Sequence, residues 1–135
     1  MPFSATDAKN AAGRLVSSVG SRGSVGEPLQ IVSVDREPAG WFVPLVDGEF
    51  LVAFLQFDER LTLLRHSRFP RPVDRRLWLD ADAIAQRATS TFPDAQPVAA
   101  PFLTYDGNIT RIAWALPVAG GTIFVAGDYA YYAAT

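Results

Sequence analysis

The stretch that decides the interpretation of this chain is WFVPLVDGEFLVA, residues 41–53, because a related stretch returns 73 positions later. Residues 114–126 read WALPVAGGTIFVA, so that Trp, Pro and Gly recur in the same order. Each copy has a run with Trp and Pro, a turn with Gly and a second apolar run, which is typical of a β-hairpin. The sequence therefore predicts a hairpin that is used twice.

The similarity extends beyond the hairpins when each residue is compared with the one 73 positions later. Identical pairs include Asp7/Asp80, Arg14/Arg87, Pro28/Pro101, Trp41/Trp114, Pro44/Pro117 and Gly48/Gly121. They follow one order through a predicted helix, a loop and a hairpin, which favours an internal duplication over two unrelated halves with similar hairpins. Duplicated modules usually associate about a pseudo-twofold axis, since each can bury a face that the other leaves open.

Helical periodicity occurs once in each half. Small and apolar residues recur at i, i+3 and i+4 from Thr6 to Val19, with Ser4, Thr6 and Asp7 as capping candidates. The same pattern runs from Asp80 to Phe92 and ends before Pro93. We expect one amphipathic helix at each place.

Period-two patterns and turn signals predict four antiparallel strands after each helix. The segment from Phe69 to Arg76 contains Pro70 and Pro72, which suggests an extended linker. The predicted fold class is α+β, with two tandem α-β-β-β-β units whose helices pack on antiparallel sheets in a pseudo-twofold repeat. The expected boundaries are 1–68 for the first repeat, 69–78 for a linker rich in Pro and Arg, and 79–135 for the second repeat.

Composition limits the possible function classes. The 135 residues are 49% hydrophobic and 19% charged, which is typical of a globular protein. A net charge of −2 provides no general attraction to nucleic acid or to an anionic membrane. The chain has no cysteine, and it has neither an apolar run of spanning length nor the pattern of a secretory signal. We expect a cytoplasmic protein that does not enter membranes, or an extracytoplasmic one if a leader was removed.

The helix starting at Asp80, its stop at Phe92-Pro93, and the hairpin 114–126 resemble the PepSY-like modules, which are small units of the cystatin-like type. The resemblance would cover nearly the whole chain as a tandem pair. It implies a role in the regulation of peptidases or in ligand binding, and an extracytoplasmic location. The second hairpin departs from this pattern because Gly120-Gly121 stands where the first has Asp47-Gly48.

Residues with catalytic chemistry do not form a known motif. His66 is the only histidine, and three carboxylate pairs fall at predicted turns, namely Asp35 with Glu37, Asp47 with Glu49, and Asp58 with Glu59. Neither a nucleophile elbow nor a phosphate-binding P-loop is present. No cofactor or metal site is predicted.

Six of the twelve basic residues fall between positions 60 and 76, and all six are arginine. Guanidinium groups pair well with carboxylates and phosphates, so Arg65, Arg68, Arg71, Arg75 and Arg76 are candidates for anion binding. Asp74 and Asp80 lie nearby as possible structural partners. The cluster is therefore either an anion site or a linker whose arginines pair with local acids.

Aromatic residues on the hairpins are the candidates for partner binding. They are Trp41, Phe50, Phe54, Trp114, Phe124 and Tyr131. In the second strand of the first hairpin both alternating faces are apolar, which predicts either packing within the chain or a surface for another subunit. The segment from Tyr129 to Tyr132 is expected to be an edge strand, open to another chain.

These patterns predict a non-catalytic binding or regulatory module, which acts through a protein partner or as a homodimer. One alternative is a small enzyme with a carboxylate-lined cleft between the two repeats. Another is anion or nucleic-acid binding by the arginine cluster.

Overall fold

The computed structural model describes residues 3–16, 23–127 and 129–135. Within it the chain forms two compact units, Met1–Arg75 and Arg76–Thr135. In the described residues, no helix has the length and the apolar character needed to cross a membrane.

Unit 1 begins with a helix and continues as antiparallel strands. Its elements are α1 (Ala5–Val16), β1 (Ser24–Val25), β2 (Leu29–Val32), β3 (Pro38–Asp47), β4 (Phe50–Phe57) and β5 (Leu63–Asp74). Strands β2 to β5 are neighbours in chain order, and the short β1 pairs with β3 beside β2. β5 is the last strand on its side of this unit.

The core of unit 1 lies between α1 and one face of β3 and β4. Ala8, Ala11 and Ala12 of the helix pack with Trp41, Val43, Leu55 and Phe57. Small helix residues allow the backbone to approach the sheet closely, so large side chains can fill the space from the strand side. The last part of the helix predicted from Thr6 to Val19 falls outside the described residues.

The opposite face of unit 1 carries an aromatic group with one arginine. The rings of Phe42 and Phe54 are stacked with centroids 4.7 Å apart. The guanidinium of Arg65 lies 5.0 Å from the centroid of Phe54, and its Nε donates to Oε1 of the buried Gln56 at 3.0 Å. The buried amide oxygen thus has a hydrogen-bond donor, as burial requires.

Unit 2, like unit 1, begins with a helical part and continues as antiparallel strands. Its elements are α2 (Arg75–Leu79), which starts at the unit boundary, α3 (Ala81–Thr91), β6 (Phe102–Tyr105), β7 (Ile112–Val118), β8 (Gly121–Ala126) and β9 (Tyr129–Ala134). The strands pair antiparallel in chain order. Within this unit β9 is the last strand.

The helix α3 packs on β7 and β8, and its buried Ile84 and Ala88 lie on the side that faces them. Trp114, Leu116, Ile123 and Val125 are buried strand residues of this unit. The Nε1 of Trp114 donates to the carbonyl oxygen of Trp78 at 2.7 Å, so the buried indole has its partner.

The predicted fold class is wrong. Of the described residues 48% are in strands and 22% in helices, so the protein is mostly β and is not a pair of helix-on-sheet α+β repeats. The helices lie close to where periodicity predicts them, but the strands extend into segments that composition assigns to a loop and a linker. β1 forms in the predicted loop after the first helix, and β5 runs through the first part of the predicted linker.

The comparison of each residue with the one 73 positions later does not align the turns of the two hairpins. The first loop is Gly48-Glu49, with Gly48 at φ +60°, and the second is Ala119-Gly120, with Gly120 at φ +82°. Gly121, which the sequence comparison pairs with Gly48, lies instead in β8 opposite Val118. The second hairpin has shorter strands, so a fixed spacing from the tryptophans does not reach equivalent turn positions.

Candidate functional site

The strand β9 presents an open edge. Among the described residues of unit 2 it pairs only with β8, with Phe124 opposite Tyr131 and Ala126 opposite Tyr129. The N–H of Thr135 donates to the carbonyl oxygen of Gly120 at 3.0 Å. Because antiparallel neighbours alternate between bonded and non-bonded pairs, the backbone groups of Ala130, Tyr132 and Ala134 point away from β8.

Composition distinguishes this edge from β5, the last strand of unit 1. β9 reads YAYYAA and contains neither a charge nor a proline. β5 carries Pro70 and Pro72, which lack an N–H, and three arginines. Prolines and charges are the usual protection of an edge against pairing with another chain. The β9 edge lacks this protection.

A buried carboxylate fixes β9 from one face. Asp106, 8% exposed, accepts hydrogen bonds from the hydroxyls of Tyr131 and of Tyr129, the latter at 3.3 Å. The Nη2 of Arg111 lies 3.3 Å from Oδ2 of the same carboxylate. We call Asp106, Arg111, Tyr129 and Tyr131 the Asp106 cluster.

The hairpin between β6 and β7 sets the position of the acid and the base. Asp106 follows β6 directly and Arg111 precedes β7. The N–H of Asp106 donates to the carbonyl oxygen of Arg111 at 2.6 Å. Gly107, at φ +92°, provides the left-handed residue that closes the turn.

Small side chains let the tyrosines reach across the sheet. Ala115 lies opposite Phe124, which in turn lies opposite Tyr131, so the three share one face. Ala113, two residues before Ala115, lies on that same face. The rings of Phe124 and Tyr131 are stacked with centroids 5.1 Å apart, and those of Tyr129 and Tyr131 with centroids 6.0 Å apart. The alanines of β7 leave the space that the long side chains of β9 cross.

Electrostatic interactions within the Asp106 cluster favour the protonated forms of Tyr131 and Arg111. Burial and then the hydrogen bond to Asp106 raise the pKa of Tyr131 to about 12. The hydrogen bond with Tyr129 and then the charge of Asp106 raise the pKa of Arg111. The phenol of Tyr131 therefore stays protonated as a donor over the physiological range, whereas a general base requires a group that gives up its proton near neutral pH.

The predicted partner-binding aromatics have different environments. Trp41, Phe54 and Trp114 are buried in their own units, so they belong to the packing of those units. Phe50 is 50% exposed beside the first hairpin turn. Phe124 and Tyr131 are half-buried and belong to the face that carries the Asp106 cluster.

The arginines proposed to bind an anion lie on different elements, since Arg65, Arg68 and Arg71 belong to β5 whereas Arg75 and Arg76 begin α2. Arg65 and Arg68 lie three residues apart on β5, so they point to opposite faces. Arg71 lies on the irregular part of β5, where the register with β4 shifts. The Nη1 of Arg75 donates to the carbonyl oxygen of Gly48 at 3.1 Å, and Arg76 is the first residue of unit 2. The anion site stays a prediction, without a shared geometry in its favour.

Of the carboxylates at the predicted turns, Glu37 and Glu59 line one cavity. In the described residues no three His, Asp or Glu side chains come close enough to hold a metal ion. Unit 1 has a cavity of about 380 Å³ near Trp41, lined by Glu37 and Glu59 together with Arg60. Its mixed charges indicate no particular class of ligand.

Sequence reasoning missed the Asp106 cluster. In the sequence, Asp106-Gly107-Asn108 is a strong turn signal, which gives no indication of a buried carboxylate. A usable signal was present in the two tyrosines spaced by two on a predicted edge strand, since they must share a face and their hydroxyls need partners. Their partner could not be identified from the sequence, because it follows β6, and two strands, β7 and β8, lie between β6 and β9.

A comparison of this chain with protein-family models, with curated proteins and with solved structures finds no match. The resemblance to PepSY-like modules therefore stays a prediction.

Proposed function

We propose that this protein is a non-catalytic binding module that acts by self-association through the open edge of β9. The observation that carries the proposal is an uncharged, proline-free edge strand whose outward backbone groups belong to Ala130, Tyr132 and Ala134. Unpaired backbone groups on a sheet edge are a template for another strand.

A second copy is the occupant that fits best, because the edge is complementary to itself. In an antiparallel pair centred on Tyr132, Ala130 faces Ala134 of the second copy and Ala134 faces Ala130 of the second copy. Each of these three facing pairs exchanges two backbone hydrogen bonds. No charge is brought opposite a like charge, and the small alanines do not obstruct the approach. Such a twofold contact closes on itself, so it yields a dimer and not a fibre.

The Asp106 cluster supports association by reducing its entropic cost. Tyr129 and Tyr131 are held through their hydroxyls, so the backbone between them is positioned before a partner arrives. A strand that is already ordered loses less conformational freedom on binding than a mobile one.

A proline on the outward side tests the proposal. Ala134→Pro removes an N–H that points away from β8, so it leaves the internal ladder intact and removes two of the intermolecular bonds. At about 0.5–1.5 kcal/mol for each bond, we expect dimerisation to weaken by about tenfold or more. Sedimentation equilibrium over a concentration series measures the effect.

Ala134→Ser is the matched control, because it keeps the N–H and adds only a small side chain. It should dimerise like the unsubstituted chain. A chain that stays monomeric at every concentration would refute the proposal, and so would equal dimerisation of the proline and serine variants.

A further inference from the structure

Unit 2 contains a cavity of about 320 Å³ beside the end of α3. Three parts of the unit line it: the helix end and following turn (91–95), the end of β7 with the turn residue Ala119, and Tyr132 of β9. None of these residues belongs to the Asp106 cluster. The cavity is therefore a separate feature of the fold, on the other side of β9.

Two aromatic rings form adjacent walls of this cavity. The centroids of Phe92 and Tyr132 are 6.4 Å apart, and the ring planes meet at 47°. Val118, which is buried, contributes an apolar surface. A cation that approaches either ring over its face is attracted to it, because the faces of aromatic rings carry partial negative charge.

The ring of Tyr132 and the backbone of Phe92 are held in place without a ligand. The hydroxyl of Tyr132 donates to the carbonyl oxygen of Gly120 at 2.9 Å, and its ring lies so close to Gly121 that an added Cβ would be 2.8 Å from it. The N–H of Phe92 donates to the carbonyl oxygen of Ala88 at 2.9 Å, and its carbonyl accepts from Ala95 at 3.0 Å. A binding corner that is already rigid requires little ordering when a ligand enters.

The charges around the cavity favour a cation. Of the lining residues that the structure describes, Asp94 is the only one with a charged side chain. The carboxyl end of α3 lies at the same place, and the last turn of this helix contains no basic residue. The negative end of the helix dipole and the carboxylate therefore act in the same direction, and none of the described lining residues is a lysine or arginine that would oppose them.

We propose that this cavity binds a small organic ammonium ion, with alkyl groups against Phe92 and Tyr132 and the positive charge close to Asp94. A bare metal ion does not suit a site with one carboxylate and two rings, whereas a methylated or alkylated amine matches both the apolar walls and the charge. The same chemistry occurs in a free amine and in a methylated lysine side chain of a polypeptide.

A titration of the full chain with choline, followed through backbone amide resonances, tests the site. Choline should shift the amides of residues 91–95, 118, 119 and 132 in a saturable way. Its neutral isostere 3,3-dimethylbutan-1-ol should bind at least about fivefold more weakly, because it lacks the charge that the rings and Asp94 recognise. Equal binding of the two compounds, or shifts elsewhere in the chain, would overturn the proposal.

Asp94→Asn should weaken choline binding by about threefold or more. Asp82→Asn removes the same charge from the exposed opposite end of α3 and should leave binding unchanged. An equal loss in both variants would mean a nonspecific charge effect and would also overturn the proposal. Neither substitution lies in β9, so the comparison of the two variants does not involve a change in the β9 edge.

A short peptide containing trimethyllysine distinguishes the two sources of the ammonium group. Tighter binding of the peptide than of choline assigns the site to a polypeptide side chain. Equal or weaker binding of the peptide assigns it to a free amine. Absence of saturable binding by both probes would refute the site.

Discussion

At the scale of single residues, Gly121 is a position that sequence comparison and structure interpret differently. The sequence pairs it with a turn glycine, but in β8 it supports the ring of Tyr132, and a Cβ there would be 2.8 Å from two ring carbons and closer still to the carbonyl oxygen of Ala133. A backbone oxygen cannot move aside as a flexible side chain can. The glycine is required by this close approach.

We therefore expect Gly121→Ala to lower the free energy of unfolding by about 2 kcal/mol or more, because β9 must move away from β8. Gly13→Ala is the matched control, since nothing lies within 4 Å of an added Cβ in α1. It should raise the free energy of unfolding by roughly 0.5–1 kcal/mol through helix propensity. Urea unfolding measures both, and equal effects of the two substitutions would contradict the described packing of Tyr132.

Tyr131 makes the stability of the protein depend on pH at the alkaline end. Its pKa is about 12 in the folded chain, against 10.0 for an ordinary tyrosine. Between pH 10 and 12 the unfolded chain loses this proton while the folded chain keeps it, so the folded state loses stability as pH rises through this window.

The Tyr131→Phe variant isolates this contribution. It should be less stable than the unsubstituted chain near neutral pH, by about 1–2 kcal/mol, because Asp106 loses one donor. Its free energy of unfolding should then fall less steeply from pH 10 to 12. Parallel slopes for the two chains over that window would show that Tyr131 does not keep its proton as described.

At the scale of elements, the helices illustrate what sequence patterns predict well. Ser4 was a predicted cap of α1, and its hydroxyl accepts from the N–H of Asp7 at 3.2 Å while its own N–H donates to the carboxylate of Asp7 at 2.8 Å. Asp80, where the second helical pattern begins, caps α3 by accepting from the N–H of Asp82. Caps are predictable because they depend on residues within one turn.

Ser4→Ala should lower the free energy of unfolding by about 1 kcal/mol, because one N–H of the first turn loses its acceptor. Ser4→Asn, which restores a side-chain oxygen, should recover most of the loss. Thermal and urea unfolding measure both changes. If the alanine and asparagine variants were equally destabilised, the cap would not be what stabilises this end of α1.

The strand β5 shows where sequence patterns fail. Pro70 and Pro72 predict a linker, yet they lie in a twelve-residue strand. The register of β4 and β5 shifts between the pairs Ala53 with Arg68 and Leu51 with Val73, so the prolines fall where regular pairing is interrupted. An edge strand with such an irregularity tolerates proline, and local composition cannot distinguish it from a linker.

At the scale of the whole molecule, the mostly β character was predictable only in part. Hairpins and helices were placed close to their observed positions from periodicity and turn residues. The share of strand was underestimated, because β1 and the second half of β5 depend on partners distant in sequence. The Asp106 cluster depends on such partners too, since Asp106 and Tyr131 are 25 residues apart.

The open β9 edge is the feature that connects the fold with the proposed function. It was predicted from the sequence Tyr129–Tyr132, and the structure adds which backbone groups face outward and how the strand is anchored. The decisive question is whether two copies pair antiparallel about Tyr132. A pair of charge substitutions answers it, because Ala130 and Ala134 are predicted to face each other across the dimer.

The most direct measurement is the dimer dissociation constant of two double variants at low salt, determined by sedimentation equilibrium. Ala130→Lys with Ala134→Lys places lysines opposite each other twice and should weaken dimerisation by roughly tenfold. Ala130→Lys with Ala134→Glu places opposite charges there and should restore dimerisation close to that of the unsubstituted chain. If both variants weaken dimerisation equally, or if the unsubstituted chain is a monomer throughout, self-association through β9 is contradicted.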